Sequence, residues 1–424
     1  MKMFKKTLAI ALACVMVLAI LTSCTEGGAQ RKGMTEKGLL VAEELTKFDV
    51  KEDFKIGVIC LHDENSTYDN NFIRAIKEVK QLLGLSDDQV LIKVNIGEND
   101  QCTQTAQNLV EQGCKIVFAD SFGHESFMLS VAKEHPEVQF CHATGTMAHT
   151  ENLANFHNAF ASIYEGRYLV GIAAGLKLNE MIADGKIKAE EAVIGYVGAF
   201  TYAEVVSGLT SFYLGARSVC PSATMKVRYT GSWYDPTAEQ EAANSLISVD
   251  KCVLISQHAD SLGAPTACEK AGVPNISYNG STYDAGKNTF IISSAINWAP
   301  YFYYIIKQVT DGNPIDVDWT GSIATGSIVL SGLNQDVAAA GTQTAIEDAI
   351  GKFKAGTLHV FDTSTFTVEG KKLDSYMADV NTDAAFEKDT EVVSDGYFHE
   401  SEYRSAPYFD IIIDGITNLN VNFG

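Results

Sequence analysis

Aromatic and carboxylate side chains recur together just after the short apolar runs of this chain, and that pairing holds small molecules rather than transforming them. The first cluster is His62-Asp63-Glu64-Asn65-Ser66-Thr67-Tyr68-Asp69, which follows Ile56-Gly57-Val58-Ile59. Later ones are Asp120-Ser121-Phe122, Phe200-Thr201-Tyr202, Trp233-Tyr234-Asp235, His258-Ala259-Asp260, Asn279-Gly280-Ser281 and Asn297-Trp298. Aromatic faces stack on a planar ring at roughly 1–3 kcal/mol per ring. Carboxylates and amides read the ring's N–H and hydroxyl groups. The candidate ligand-binding residues are therefore Asp63, Asn65, Tyr68, Asp120, Phe122, Phe200, Tyr202, Trp233, His258, Asp260, Asn279, Ser281 and Trp298.

Each of these has an ordinary alternative. Aromatics at strand ends often pack lobes together, and Trp298 can anchor a helix start. Asp69, Asp120 and Asp235 can cap helices, and Asp235 before Pro236 suits that role. His258-Ala259-Asp260 has a metal-like look, but no third ligand stands nearby, so a hydrogen-bonding pair or a cap is the better reading and no metal is expected. Catalytic signatures are absent. Gly185, Gly286 and Gly351 precede lysines, but these are followed by Ile, Asn and Phe, so there is no phosphate loop. Neither H-E-x-x-H nor G-x-S-x-G occurs, nor a G-x-G-x-x-G after a strand. The pattern predicts a binding protein without a cofactor, not an enzyme.

The elements that position these residues alternate short apolar runs with amphipathic stretches, the sign of βαβ units and parallel sheets. One series runs from the strand at Lys55–Leu61 and the helix at Asp69–Leu83 to the strand at Val138–His142. A long Gly- and Ala-rich helix over Ala161–Met181 follows, with small residues that permit close packing. A second series then runs from the strand at Val193–Val197 to that at Asn275–Tyr278. Two such lobes predict a hinged α/β pair closing over a cleft. Ligands of open α/β sheets bind beyond the carboxyl ends of the strands, where the clusters above fall.

The 424 residues suffice for two domains. The formal charge is −21, and no acid but three lysines lie in residues 1–23, so the chain from Cys24 carries −24 and no nucleic-acid partner is expected. Lys2, Lys5 and Lys6 precede the apolar run Thr7–Ile20, which reads as an export signal. Its end, Leu21-Thr22-Ser23-Cys24, resembles the lipobox of bacterial lipoproteins, in which the cysteine is acylated. The expected layout is a signal peptide at 1–23, a lipidated Cys24 with a tether and short helix over 24–53, an N-terminal lobe of 54–160 plus part of 320–424, and a C-terminal lobe of 161–320. Seven cysteines remain after Cys14 and Cys24, mostly within apolar runs, and read as buried free thiols, with a Cys102–Cys114 bridge left open.

Together with the lipobox, Ile56-Gly57-Val58-Ile59 opening a polar loop that ends in Asn71-Phe72, Gly195-Tyr196-Val197-Gly198, and Tyr229-Thr230-Gly231-Ser232-Trp233-Tyr234-Asp235-Pro236 resemble the basic membrane protein family. These are substrate-binding lipoproteins of ABC transporters and include purine nucleoside receptors. The resemblance covers residues 54 to about 365 and implies a two-lobed type I periplasmic-binding-protein fold, each lobe a parallel sheet flanked by helices. It implies a purine stacked between aromatics of both lobes, with acidic side chains holding ribose. The stacking aromatic falls on Tyr68, the acid after the third strand on Asp120, and the second-lobe aromatic on Phe200 or Tyr202. The chain departs from the family at His258 and Asp260, where a Gly or Ala pair is common. It departs again at Asn279-Gly280, in place of an acid, and at Asn297-Trp298, in place of a lysine. A free base or a flavin-like heterocycle therefore fits as well as a nucleoside. The implied setting is a monomer on the outer face of the bacterial cytoplasmic membrane, held by lipid on Cys24 and serving an ABC permease and ATPase. A sugar or signal receptor feeding a sensor kinase is the alternative.

Overall fold

A computed structural model of the chain describes residues 33–420; the expected signal sequence and Cys24 lie outside the described residues. The apolar runs form strands closed off from water. β1 (Ile56–Ile59) and β3 (Ile116–Ala119) are buried at every position. Between strands, amphipathic stretches become helices. α1 (Thr67–Leu83) buries Phe72, Ile73, Ile76, Val79 and Leu83, starts where Ser66 Oγ accepts the Asp69 N–H, and stops at Gly84 in the left-handed region at φ 73°.

β2 (Val90–Lys93), β4 (Gln139–Ala143), β5 (Phe156–Ala161) and β11 (Asp318–Gly321) complete the first sheet, ordered β11-β5-β4-β3-β1-β2 and parallel throughout. α2 (Asp100–Glu111), α3 (Glu125–Glu134) and the single turn α4 (Ala148–Glu151) connect its strands. The second sheet contains β6 (Val193–Gly198), β7 (Thr224–Tyr229), β8 (Leu254–His258), β9 (Asn275–Tyr278), β10 (Phe290–Ile296), β12 (Ile328–Leu330) and β13 (Ile416–Asn418). Its order is β12-β10-β9-β8-β6-β7-β13, with only β12 antiparallel to its neighbour. α5 (Ile163–Ala183) and α6 (Ala203–Val219) pack against each other, and α7 (Pro236–Ser248) and α8 (Gly263–Ala271) link later strands.

Three chain crossings join the lobes and form the hinge. They follow β5, β10 and β11, and they are bonded to one another. Ser162 N–H donates to Gly321 O at 2.7 Å, and Asn297 N–H to Ser327 O at 2.8 Å. Glu165 Oε2 accepts the Ile323 N–H at 2.8 Å; burial pushes this carboxyl up to about 7.

The boundaries differ from the sequence expectation in two places. The return to the first lobe comes before residue 320, through α9 (Ala299–Asp311) and β11, whereas β12 and β13 join the second sheet. The reason is aromatic packing. Trp298 stacks on Phe72 at 4.4 Å between ring centroids, and Phe302 meets Phe118 at 4.9 Å, so the start of α9 is fixed in the first-lobe core. The tail touches the first lobe through contacts such as Ser405 N–H to Asp318 Oδ2 at 2.8 Å. The second difference lies in residues 35–50, where the structure has no helix. Thr35 N–H donates to Leu333 O and Leu330 N–H to Leu40 O, both at 3.0 Å, and Phe48 meets Tyr303 edge-on at 5.1 Å. These tertiary bonds outweigh the weak local helix preference.

The small residues of α5 allow the predicted close packing. A Cβ on Gly171 would lie 2.2 Å from Phe212 O, and one on Gly175 2.3 Å from Ala216 O. Cys60, Cys102, Cys114, Cys141, Cys220, Cys252 and Cys268 are all buried free thiols, so Cys102 and Cys114 are not bridged.

Candidate functional site

The loops at the carboxyl ends of both sheets face each other across a narrow crevice. The first lobe contributes Leu61, His62, Tyr68, Asp69, Ser121, Phe122 and Thr144; the second contributes Glu204, Trp233, His258, Asp260 and Tyr278. Three carboxylates, two imidazoles and four aromatic rings are thus in the lining, and no Lys or Arg is among it.

On the first-lobe side the loop after β1 turns into α1. Tyr68, in the first turn of α1, donates its hydroxyl to Asp120 O at 2.8 Å. Asp69 Oδ1 accepts the His62 N–H at 2.7 Å, and Oδ2 accepts from Ser66 Oγ at 2.6 Å. Burial works against the ionised form of Asp69, but the bonds from His62 and Ser66 outweigh it and hold the carboxyl below its usual range. Asp120 stands directly behind, fully buried, with Oδ1 accepting the Leu61 N–H at 3.1 Å and Oδ2 without a hydrogen-bond partner among the described residues. Burial, and then the charge of Asp69, push the Asp120 carboxyl well up. Cys60 completes a buried group whose ligand atoms lie within 4.8 Å of one another. Burial pushes its thiol up too, so one thiol and two carboxyls with two of the three held toward the protonated form make a poor cation site.

On the second-lobe side, His258 ends β8 with Nε2 3.5 Å from Glu204 Oε1 and its ring 4.1 Å from that of Tyr278. Gly208 of α6 makes room for it, since a Cβ there would lie 2.5 Å from Nδ1. Burial pushes the imidazole down, against the opposing pull of Glu204, and so favours its neutral form. The Tyr278 hydroxyl has no partner among the described residues. Arg167 lies behind it, fully buried, bonded to Ser256, Tyr196, Ser277 and Ser294 and 5.3 Å from the Tyr278 ring centroid. The cation supports the wall rather than facing the crevice.

Tyr68, Phe122, Trp233, His258 and Asp260, expected from sequence, come together in the lining, with Asp120 just behind it. Phe200 and Tyr202 back it, stacked on each other at 5.0 Å; Phe200 meets Trp233 at 5.1 Å and Tyr202 meets Phe122 across the crevice at 5.6 Å. Others lie elsewhere. Asp63 Oδ1 accepts from the Asn65 backbone and side chain at 3.0 and 2.8 Å, a local turn outside the lining. Asn279 and Ser281 face a solvent groove beside α1. Trp298 belongs to the first-lobe core because stacking on Phe72 buries it. Asp235 caps α7, accepting from Thr237 and Ala238 N–H groups at 3.0 and 2.9 Å. Sequence reasoning missed Asp69, Glu204 and Tyr278 as lining residues. They sit in the first turn of a helix or as the last residue of a strand, positions that read as caps and core but point over the strand ends.

A family model described as "ABC transporter substrate-binding protein PnrA-like" matches residues 58–352. A purine-binding protein of Brucella abortus is 32% identical over 62% of this chain and 70% of its own length. A provisionally named ABC transporter glucose-binding protein of Haloferax volcanii is 36% identical over 50% of each chain, so this chain spans half of that relative. Among solved structures, a solute-binding protein of an Aeropyrum pernix ABC transporter system overlays with a TM-score of 0.62 at 15% identity, covering 73% of this chain and 93% of that one. That overlay carries the two-lobed fold alone. From the extent of the family match, the chain belongs to the Bmp family of PnrA-like ABC transporter substrate-binding proteins.

Proposed function

We propose that this protein captures a purine, as nucleoside or free base, outside the cytoplasm and hands it to an ABC permease and ATPase, anchored through lipid on Cys24. The carrying observation is the crevice in which Tyr68 and Phe122 of one lobe and Trp233 and Tyr278 of the other surround a space bordered by Asp69, Glu204 and Asp260. Aromatic faces take the flat ring, and the acids take its N–H and hydroxyl donors. Lacking a lining Lys or Arg, the same crevice disfavours phosphate, so nucleotides should be refused. The purine-binding Brucella relative agrees with this reading.

A sugar is the second reading, favoured by the carboxylates and by the name of the haloarchaeal relative. A thermal-shift screen of bases, nucleosides, nucleoside monophosphates, flavins and monosaccharides separates the two. Ligand at a hundred times Kd stabilises by about 2.7 kcal/mol. Purine bases or nucleosides should raise Tm and monophosphates should not. A rise with monosaccharides alone overturns the purine reading.

A further inference from the structure

The two lobes also touch directly beside the crevice, through a chain of polar contacts that meets the crevice lining at Asp260 alone. Thr67, at the start of α1, donates its N–H and its Oγ1 to Asp260 O at 3.0 and 3.1 Å. Asp260 Oδ1 accepts from Asn279 Nδ2 at 3.1 Å, and Asn279 Oδ1 accepts from Asn71 Nδ2, one turn along α1, at 3.3 Å. The path runs first lobe, second lobe, second lobe, first lobe. Asn71 and Asn279 line the groove outside the crevice, and from it Asn279 reaches the Asp260 carboxylate of the crevice lining. Asn279 holds its carboxamide there by adopting a left-handed backbone at φ 61°, which Asn tolerates better than most residues. Rings also meet across the crevice, Phe122 with Tyr202 at 5.6 Å and His62 with Tyr234 at 5.4 Å.

We infer that Thr67, Asn71, Asn279 and the Asp260 backbone form a latch that holds the lobes closed, and that Asn71 and Asn279 are positioning residues rather than ligand contacts. This rests on the two-lobed binding reading and refines the part of each residue in it. A bond made only when the lobes are closed adds to the closed population, and apparent affinity scales with that population whatever the ligand. Removing the latch therefore weakens every ligand by one common factor. Removing a ligand contact instead changes the ratio between ligands.

The test uses the purified full-length protein and two variants, Asn71→Ala and Asn279→Asp, the latter replacing a donor to Asp260 by a second carboxylate. Small-angle scattering should show a larger radius of gyration for both ligand-free variants than for wild type. Titration of Asn71→Ala with adenine and with adenosine should show both weakened equally, by roughly threefold to tenfold, as one lost hydrogen bond dictates; Asn279→Asp, which also alters the surroundings of the Asp260 carboxylate, is read by its radius alone. An adenine-to-adenosine ratio that shifts in Asn71→Ala would make Asn71 a ligand contact and overturn the latch. An unchanged radius would overturn it as well. If neither purine binds wild type, the purine reading fails, while the scattering comparison still decides the latch. Should Asn279→Asp not fold, Asn71→Ala, which is half-exposed on α1, carries the test alone.

Discussion

Tyr68 presents its ring to the crevice while its hydroxyl is tied to the Asp120 carbonyl, so the face that the purine proposal assigns to stacking is held in place before a ligand arrives. Two substitutions separate these roles. Tyr68→Ala removes the face and should cost roughly 1–3 kcal/mol of purine binding, measured by titration calorimetry. Tyr68→Phe keeps the face and loses one hydrogen bond, for about 0.5–1.5 kcal/mol. Equal losses in the two variants would mean that the ring does not stack. Tyr68 was legible in the sequence because it is an exposed-type aromatic in a long polar loop after a strand. Glu204 and Tyr278 were not, because nothing local separates a crevice-facing first-turn acid or strand-end tyrosine from a cap or a core residue. Trp298 misled for the converse reason: its apolar flanks fit either a site or a core, and only the tertiary partner Phe72 decides.

Among the elements, α5 and α6 approach so closely that backbone meets backbone. A Cβ on Gly215 would lie 2.1 Å from Tyr168 O, an atom that cannot move without shifting α5. Gly215→Ala should therefore lower stability by about 1–3 kcal/mol, the usual cost of overpacking, as read from urea melts. This packing was visible as a Gly and Ala stripe. β5 was not visible, because His157 and Asn158 interrupt its apolar pattern; both are buried and paired, His157 with Asp316 O at 3.0 Å and Asn158 with the Ala148 N–H at 2.8 Å. The tail carries a titration. Glu400 is fully buried, accepts N–H bonds from Tyr408 and Phe409, and is pushed by burial from 4.5 to about 7. Between those values the folded protein keeps a proton that the unfolded chain releases, so stability falls as pH rises toward 7 and then levels. Glu400→Gln removes that contribution. Thermal melts at pH 5 and pH 8 should show the variant gaining on wild type at the higher pH, with part of the slope left by Glu165 and Glu239, both also pushed to about 7 by burial.

At the scale of the whole molecule, the family match ends at residue 352, yet the described chain continues as part of the same packed body to residue 420. Phe361 stacks on Phe409 at 4.3 Å and meets Tyr164 of α5 at 5.4 Å, while Phe398 meets Phe409 at 4.8 Å. The chain then adds β13 to the edge of β7, pairing Ile416 with Met225 and Asn418 with Val227. The sequence offered no motif for this region because an irregular segment with two-residue strands has no period to detect. Its burial nonetheless makes it part of the fold rather than an appendage. Ending the chain after Ala355 would expose the apolar flank of α5 and α6 and leave β7 as a bare edge, and each lost buried aromatic costs about 3–5 kcal/mol. An exposed edge strand beside apolar surface invites pairing with another chain. The truncated protein should therefore elute from size exclusion as aggregate, or melt far below the full chain, instead of behaving as a smaller binding protein. A monodisperse fragment that keeps its Tm would show that the matched residues 58–352 fold without the tail, and that β13 is an addition the two lobes do not need.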